Sequence, residues 1–187
     1  MTERARISLM VCMSLDGRIS TAENVSPNQE KYGGWTSAED KLEFIAQVKG
    51  CDFLISGRKT AELLPDMKKR IAIISTAHAA VLTKQSGPIR VIRPDADFLN
   101  EMLETSNSYG WGKKALLCGG ARTYTLFLQL GLVDEIWLTL EPIVLKSGPS
   151  FGLNELFKSD IWPTKFRMLN MGKLNTRGTL LLHYVKE

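Results

Sequence analysis

The ten residues from Lys114 to Thr123 read KALLCGGART, and this stretch identifies the class of fold. Its apolar first half predicts a buried strand over 114–118, and the two adjacent glycines predict a tight turn after it. We expect a helix to follow over about 121–130 and to stop at Gly131. A buried strand that leads through a short glycine turn into a helix is typical of an α/β domain.

The same alternation extends to both sides of this stretch. Strands are predicted at 7–13, 51–56, 70–75, 89–92 and 133–140, and helices at 36–50, 58–64 and 96–105. Alternating strands and helices predict a mostly parallel sheet that is covered on both faces. Two further apolar runs, at 165–171 and 179–185, predict an antiparallel hairpin at one edge of the sheet.

The first predicted helix begins at Thr36 or Ser37. Ser37 supplies an N-cap hydroxyl, and Glu39 and Asp40 place acids in the first turn, where they favour the helix dipole. Side chains at helical spacing predict its packed stripe: Leu42, Ile45, Ala46 and Lys49, the last through its apolar stem.

The composition is that of an ordinary globular protein. The chain has 187 residues, which predicts a single domain over 1–187, with 44% hydrophobic and 24% charged residues. The net charge of +4 suits an anionic ligand, but the basic residues are scattered, so no nucleic-acid partner is expected. No apolar run approaches the ~18 residues that span a bilayer, and the run over 7–15 predicts a strand, not a signal peptide.

The cysteines and histidines predict neither a metal site nor a catalytic triad. Cys12, Cys51 and Cys118 lie in or beside apolar stretches and form no CxxC motif, so we expect buried thiols and a cytoplasmic location. His78 falls in a predicted loop or short helix, and His183 is expected at the surface or edge of the last strand.

Ligands of open α/β sheets bind beyond the carboxyl ends of the strands, and three such ends carry polar groups. At Gly119–Thr123 the glycines allow close approach of a backbone, and the helix N-terminus could seat a pyrophosphate. The alternative is a tight turn whose glycines serve packing alone. The segment is not a GxGxxG fingerprint, so a Rossmann fold is not predicted.

At Gly57–Thr60 the next strand ends in glycine, and two cations stand at a helix start. Arg58 and Lys59 oppose the helix dipole there, which favours a bound anion such as a 2′-phosphate, although a solvent-facing basic pair is the alternative. At the third end, Asp16 could orient a substrate or relay a proton, or could simply form an Asp-Gly turn.

Together these segments resemble one family. The chain is similar to the reductase domain of the bacterial riboflavin-biosynthesis deaminase-reductases (RibD C-terminal-like), to the stand-alone archaeal and fungal reductases of that pathway and, more distantly, to dihydrofolate reductase. The matching segments are Met13–Ile19, Trp35–Asp40, the G-x-x-T of Gly57–Thr60, Gly119-Gly120, 130–135 and Pro142.

The resemblance implies an NADPH-dependent oxidoreductase, a homodimer, and a dihydrofolate reductase-like three-layer sandwich with a central, mostly parallel mixed sheet. It implies cofactor-binding residues Gly57, Arg58, Lys59, Thr60, Ser75, Gly119, Gly120, Ala121, Arg122 and Thr123. It implies Ser14, Trp35 and Ser37 as substrate-binding residues and Asp16 as the catalytic residue.

Two departures concern the substrate. Cys118 stands where the riboflavin-pathway enzymes usually carry Glu, and 61–65 does not match their D-P-x-L-like loop. The substrate is therefore either 5-amino-6-(5-phosphoribosylamino)uracil, or a pterin or other heterocycle, and a non-catalytic nucleotide-binding protein is a third alternative. The sequence contains no zinc-deaminase motif, so we do not expect a bifunctional enzyme.

Overall fold

The computed structural model describes residues 4–21, 34–76, 86–106, 108, 110–151 and 164–187, and His78 lies outside these ranges. Its strands are β1 (Arg6–Ser14), β2 (Phe53–Gly57), β3 (Arg70–Ile74), β4 (Ile89–Ile92), β5 (Lys114–Leu117), β6 (Glu135–Glu141), β7 (Phe166–Lys173) and β8 (Leu180–Lys186). Its helices are α1 (Ala38–Gly50), α2 (Arg58–Leu63), α3 (Ala96–Thr105) and α4 (Ala121–Gln129).

All eight strands form one mixed sheet in the order β4-β3-β2-β5-β1-β6-β8-β7. The six strands from β4 to β6 run parallel to their neighbours. Strand β8 pairs antiparallel with β6, and β7 pairs antiparallel with β8. The predicted mostly parallel sheet with a C-terminal antiparallel hairpin is confirmed.

The central strand β1 is buried on both faces, which explains its nearly continuous apolar sequence. Ile7, Leu9 and Val11 belong to one core cluster together with residues of α3 and α4. Met10 belongs to a second cluster with residues of α1 and α2. The helices therefore cover opposite faces, and the predicted three-layer sandwich is confirmed.

The predicted position of His183 at the surface or edge is wrong. Strand β8 has a partner on each side, so it lies inside the sheet. The His183 ring stacks on Trp137 of β6 with 3.7 Å between ring centroids, and its side chain is 14% exposed. Cross-strand pairing with a large aromatic ring, which the alternation of β8 alone does not reveal, removes this histidine from solvent.

The predicted packed stripe of α1 is also wrong. Leu42 is 66% exposed and Ile45 is 44% exposed, whereas Asp40 and Val48 face the sheet and are 5% and 6% exposed. The helix begins after the N-cap Ser37, as predicted. The inward face starts with a carboxylate, so a search for apolar spacing selects the opposite side of the helix.

Candidate functional site

A cleft of about 1290 Å³ opens at the carboxyl ends of the parallel strands. It brings together the turn after β2, the end of β3 and the turn after β5, which the chain reaches in that order. All ten residues predicted to bind a cofactor line it: Gly57, Arg58, Lys59, Thr60, Ser75, Gly119, Gly120, Ala121, Arg122 and Thr123. The cleft exceeds the ~300–1,000 Å³ typical of small-molecule pockets.

The two glycine turns are in direct contact at the base of this cleft. The Gly57 N–H donates to the Gly119 carbonyl at 2.7 Å. A Cβ atom at Gly57 would lie 2.6 Å from Thr123 Oγ1, closer than atoms approach without displacement. Gly57 therefore lets the β2 turn and the β5 turn pack together, whatever else it binds.

Gly119 and Gly120 differ in what they require. The peptide bond between them is cis, and Gly119 has φ +114°, a conformation that favours glycine. Gly120 has φ −82°, which any residue adopts, and a Cβ there would lie 3.1 Å from Thr60 Oγ1. The backbone conformation demands glycine at Gly119, whereas at Gly120 the neighbouring cleft atoms limit the side chain.

Two helix N-termini open into the cleft without side-chain caps. Gly57 is the N-cap of α2 and Gly120 is the N-cap of α4, and neither first turn contains an acid. The N–H groups and partial positive charge of a helix start favour an anion, as do the exposed Lys59 and Arg122 in these turns. Arg58 forms an ion pair with Glu62 of the same helix at 2.6 Å.

Ser14, Asp16, Trp35 and Ser37, which were predicted to contact the substrate, are not among the residues that line this cleft. The Asp16 carboxylate accepts hydrogen bonds from Ser14 Oγ at 2.7 Å and from the backbone N–H groups of Leu145 and Lys146. These hydrogen bonds, the one from Ser14 foremost, lower the pKa of Asp16 to about 2. The catalytic role of Asp16 stays a prediction.

Asp40 is a candidate functional residue. The sequence placed it in the first turn of α1 and in the Trp35–Asp40 segment, which the resemblance implies would face the substrate, but singled out no role for it. It lines the cleft and is 5% exposed. Burial raises the pKa of Asp40 to about 6, and the negative charge of Glu141 adds to this, while the nearby Thr139 hydroxyl and Cys12 thiol act in the opposite direction. A carboxyl group that titrates near neutral pH beside a cleft is suited to proton transfer.

Two cysteines also line the cleft, Cys12 and Cys118, and both are partly exposed. Cys51 is buried, as expected, and burial raises the pKa of its thiol to about 11, whereas Cys12 and Cys118 are only half-buried residues. Burial also raises the pKa of Cys12 and Cys118, so their thiols stay protonated near neutral pH.

Comparisons with known proteins agree with this architecture. The chain matches no protein-family profile. It is 29% identical over 159 residues to the uncharacterised protein YyaP of Bacillus subtilis, covering 78% of this chain and 79% of that protein. A pyrimidine reductase-like protein of Corynebacterium diphtheriae superposes with a TM-score of 0.75 at 16% identity, covering 100% of this chain and 93% of that chain.

Two longer proteins superpose as well. RibD of Acinetobacter baumannii gives a TM-score of 0.77 at 19% identity, covering 98% of this chain and 58% of that chain. The diaminohydroxyphosphoribosylaminopyrimidine deaminase/5-amino-6-(5-phosphoribosylamino)uracil reductase of Thermotoga maritima gives 0.74 at 13% identity, covering 98% and 57%.

The chain shares the fold of these pyrimidine reductase-like and RibD proteins. The resemblance predicted from the sequence is therefore confirmed for the fold. Over the ranges that the structure describes, no helix has both the length and the apolar character needed to cross a membrane.

Proposed function

We propose that this chain is an NADPH-dependent reductase of a small heterocyclic substrate. The observation that carries the proposal is the meeting of all ten predicted cofactor residues with the buried Asp40 carboxyl in one cleft. The ten residues would supply N–H donors and positive charges for the phosphates of a dinucleotide, and Asp40 would supply a carboxyl that can hold a proton. The likeness of the fold to RibD proteins supports a reductase, and the roles of the individual residues are part of this proposal.

The residues of the cleft fit a dinucleotide phosphate. The uncapped starts of α2 and α4 offer N–H donors to the pyrophosphate, and the glycine turns allow its close approach. Lys59, Arg122 and the Arg58–Glu62 pair stand where a further phosphate gains charge-assisted hydrogen bonds. When bound, NADPH supplies a hydride from its nicotinamide ring.

Asp40 is the group that we propose to hold the proton that accompanies hydride addition. It stands in the wall of the cleft, which the apolar side chains of Met10 and Phe44 also line. Because its pKa is raised to about 6, part of the Asp40 population is protonated near neutral pH. A protonated carboxyl can donate to a ring nitrogen of a heterocycle, and its ionised form can accept a ring N–H.

The test begins with the cofactor and then asks for the substrate. NADPH and NADH are titrated separately by calorimetry, and NADPH oxidation is then followed with 5-amino-6-(5-phosphoribosylamino)uracil and with a panel of dihydropterins. We expect micromolar binding of NADPH and turnover of one of these two classes. Tight NADPH binding without turnover of either class would favour a non-catalytic nucleotide-binding protein, and no binding of either nucleotide would overturn the proposal.

A further inference from the structure

Glu141, the last residue of β6, is a buried carboxylate shared between two other elements. It is 2% exposed. Its Oε1 accepts the backbone N–H of Ser37 at 2.6 Å, and its Oε2 accepts the Thr179 hydroxyl at 2.8 Å. Burial of a carboxylate is costly unless its oxygens are hydrogen-bonded, so these two donors determine where the group can sit.

The first of these hydrogen bonds leads directly to Asp40. Ser37 is the N-cap of α1, and its Oγ accepts the backbone N–H of Asp40 at 3.2 Å. A chain of two hydrogen bonds thus runs from the end of β6 through the helix cap to the residue in the cleft wall. The partners Ser37 and Glu141 are 104 positions apart in the sequence.

The hydrogen bond from Thr179 to Glu141 also connects to the first turn of α1, through Asn175. Asn175, in the turn between β7 and β8, donates through Nδ2 to Thr179 Oγ1 at 2.9 Å and to Glu39 Oε2 at 3.1 Å. Glu39 precedes Asp40 in the first turn of α1. The start of α1 is therefore bound to β6 and to the C-terminal hairpin by one connected set of hydrogen bonds.

Apolar packing contributes little to this turn. Ala38 and Lys41 are exposed, and the buried residues of α1 are Asp40 itself and Val48, two turns further on. The orientation of the first turn therefore depends on the polar contacts of Ser37 and Glu39, of which the contact with Glu141 is the shortest.

We propose that Glu141 is a positioning residue, which holds the first turn of α1 so that the Asp40 carboxyl stays in the cleft wall. Its importance for catalysis rests on the proposed reductase function, but the hydrogen-bonded link can be tested without any substrate. The link also places the Glu141 carboxylate near Asp40. The other titratable groups that act on Asp40 are the Cys12 thiol and Lys41.

Two variants separate the geometric effect of Glu141 from its charge. In Glu141→Gln, the amide keeps an acceptor for the Ser37 N–H and loses the charge. We expect wild-type hydrogen exchange at Ser37 and Asp40, and a titration midpoint of the Asp40 carboxyl carbon, measured by NMR, that is lower by about one pH unit. In Glu141→Leu both hydrogen bonds are lost, and exchange at these two amides should be at least about tenfold faster.

Asp134, just before β6, is the matched control. Its carboxylate also binds two partners, the Ile7 N–H at 2.8 Å and Arg4. Asp134→Asn should leave exchange and titration in α1 unchanged, and Glu141→Leu should bind NADPH within about twofold of the wild type. Should Glu141→Leu fail to fold, Thr179→Val tests the second half of the link by the same exchange measurement.

Wild-type exchange at Ser37 and Asp40 in folded Glu141→Leu, or in Thr179→Val where that variant is the one tested, would overturn the positioning role. An unchanged titration midpoint of Asp40 in Glu141→Gln would overturn the proposed effect of the Glu141 charge on Asp40. A wild-type protein that does not bind NADPH would instead count against the proposed reductase function. It would not affect the proposed hydrogen-bonded link between Glu141 and the first turn of α1.

Discussion

The role assigned to Asp40 differs between the sequence and the folded chain, because the residues around it are known only in the structure. In the sequence it is an acid in the first turn of a helix, where it favours the helix dipole, and the last residue of the matching segment Trp35–Asp40. In the folded chain it is buried in a cleft wall with a pKa of about 6. Burial and a neighbouring charge, which are both tertiary effects, convert an ordinary carboxyl into a group suited to proton transfer.

Replacing Asp40 should impair turnover without impairing cofactor binding. We expect Asp40→Asn to lower kcat by about 10²–10⁴-fold, since the amide cannot transfer a proton. The NADPH dissociation constant should stay within about twofold, because Asp40 is not among the predicted cofactor residues. Steady-state kinetics and calorimetry measure the two effects, and a variant with wild-type kcat would exclude this role.

The pH profile of the wild type should report the same group. A pKa raised to about 6 means that Asp40 is protonated below that pH and ionised above it. Activity that requires the protonated form is therefore full in acid and falls as the pH rises through about 6. Asp40→Asn should lack this step, whereas Asp16→Asn should keep it, since hydrogen bonds hold the pKa of Asp16 near 2.

The adjacent glycines should respond differently to substitution. Gly120 has an ordinary φ, so Gly120→Val should fold, while its side chain occupies cleft space beside Thr60 and abolishes NADPH binding. Gly119→Ala should lower the free energy of unfolding by at least about 1–2 kcal/mol, because φ is +114° and Tyr124 Oη would lie 3.0 Å from the new Cβ. Thermal melts and NADPH titration of both variants test this. Normal affinity in folded Gly120→Val would remove this turn from the cofactor site.

Helices α2 and α4 are short, and they contribute to the cleft through their N-terminal ends. Both have a glycine as N-cap, have no acid in the first turn and open into the cleft. Helix α1 contributes in another way, because polar contacts at its first turn orient Asp40. Its outward side chains Leu42 and Ile45 are 66% and 44% exposed.

The first turn of α2 should determine the preference for NADPH over NADH. Arg58→Ala should lower that preference about tenfold, which corresponds to ~1.4 kcal/mol. Arg6→Ala is the matched control, since Arg6 also pairs with a glutamate at 2.6 Å and does not line the cleft. Calorimetric titration of both nucleotides gives the ratio, and equal affinity of the wild type for the two would contradict the prediction.

The whole molecule exposes several apolar side chains on the edge strand β7 of its sheet. Met168, Leu169 and Met171 of the edge strand β7 are between 44% and 60% exposed. An edge strand with apolar side chains invites association. We therefore retain the prediction of a homodimer: sedimentation at micromolar concentration should show twice the 20.9 kDa chain mass, and a species of the monomer mass alone would contradict it.

The order of strands and helices along the chain could be derived from the sequence alone, because side-chain alternation and helical spacing are patterns among residues that are close in sequence. The glycine turns of Gly57 and Gly119 were found for the same reason. The face that α1 buries, the interior position of His183 and the link from Glu141 to Ser37 could not be derived in this way. Each depends on a polar or aromatic partner about 45 to 105 positions away, and the partner becomes known only when distant strands pair.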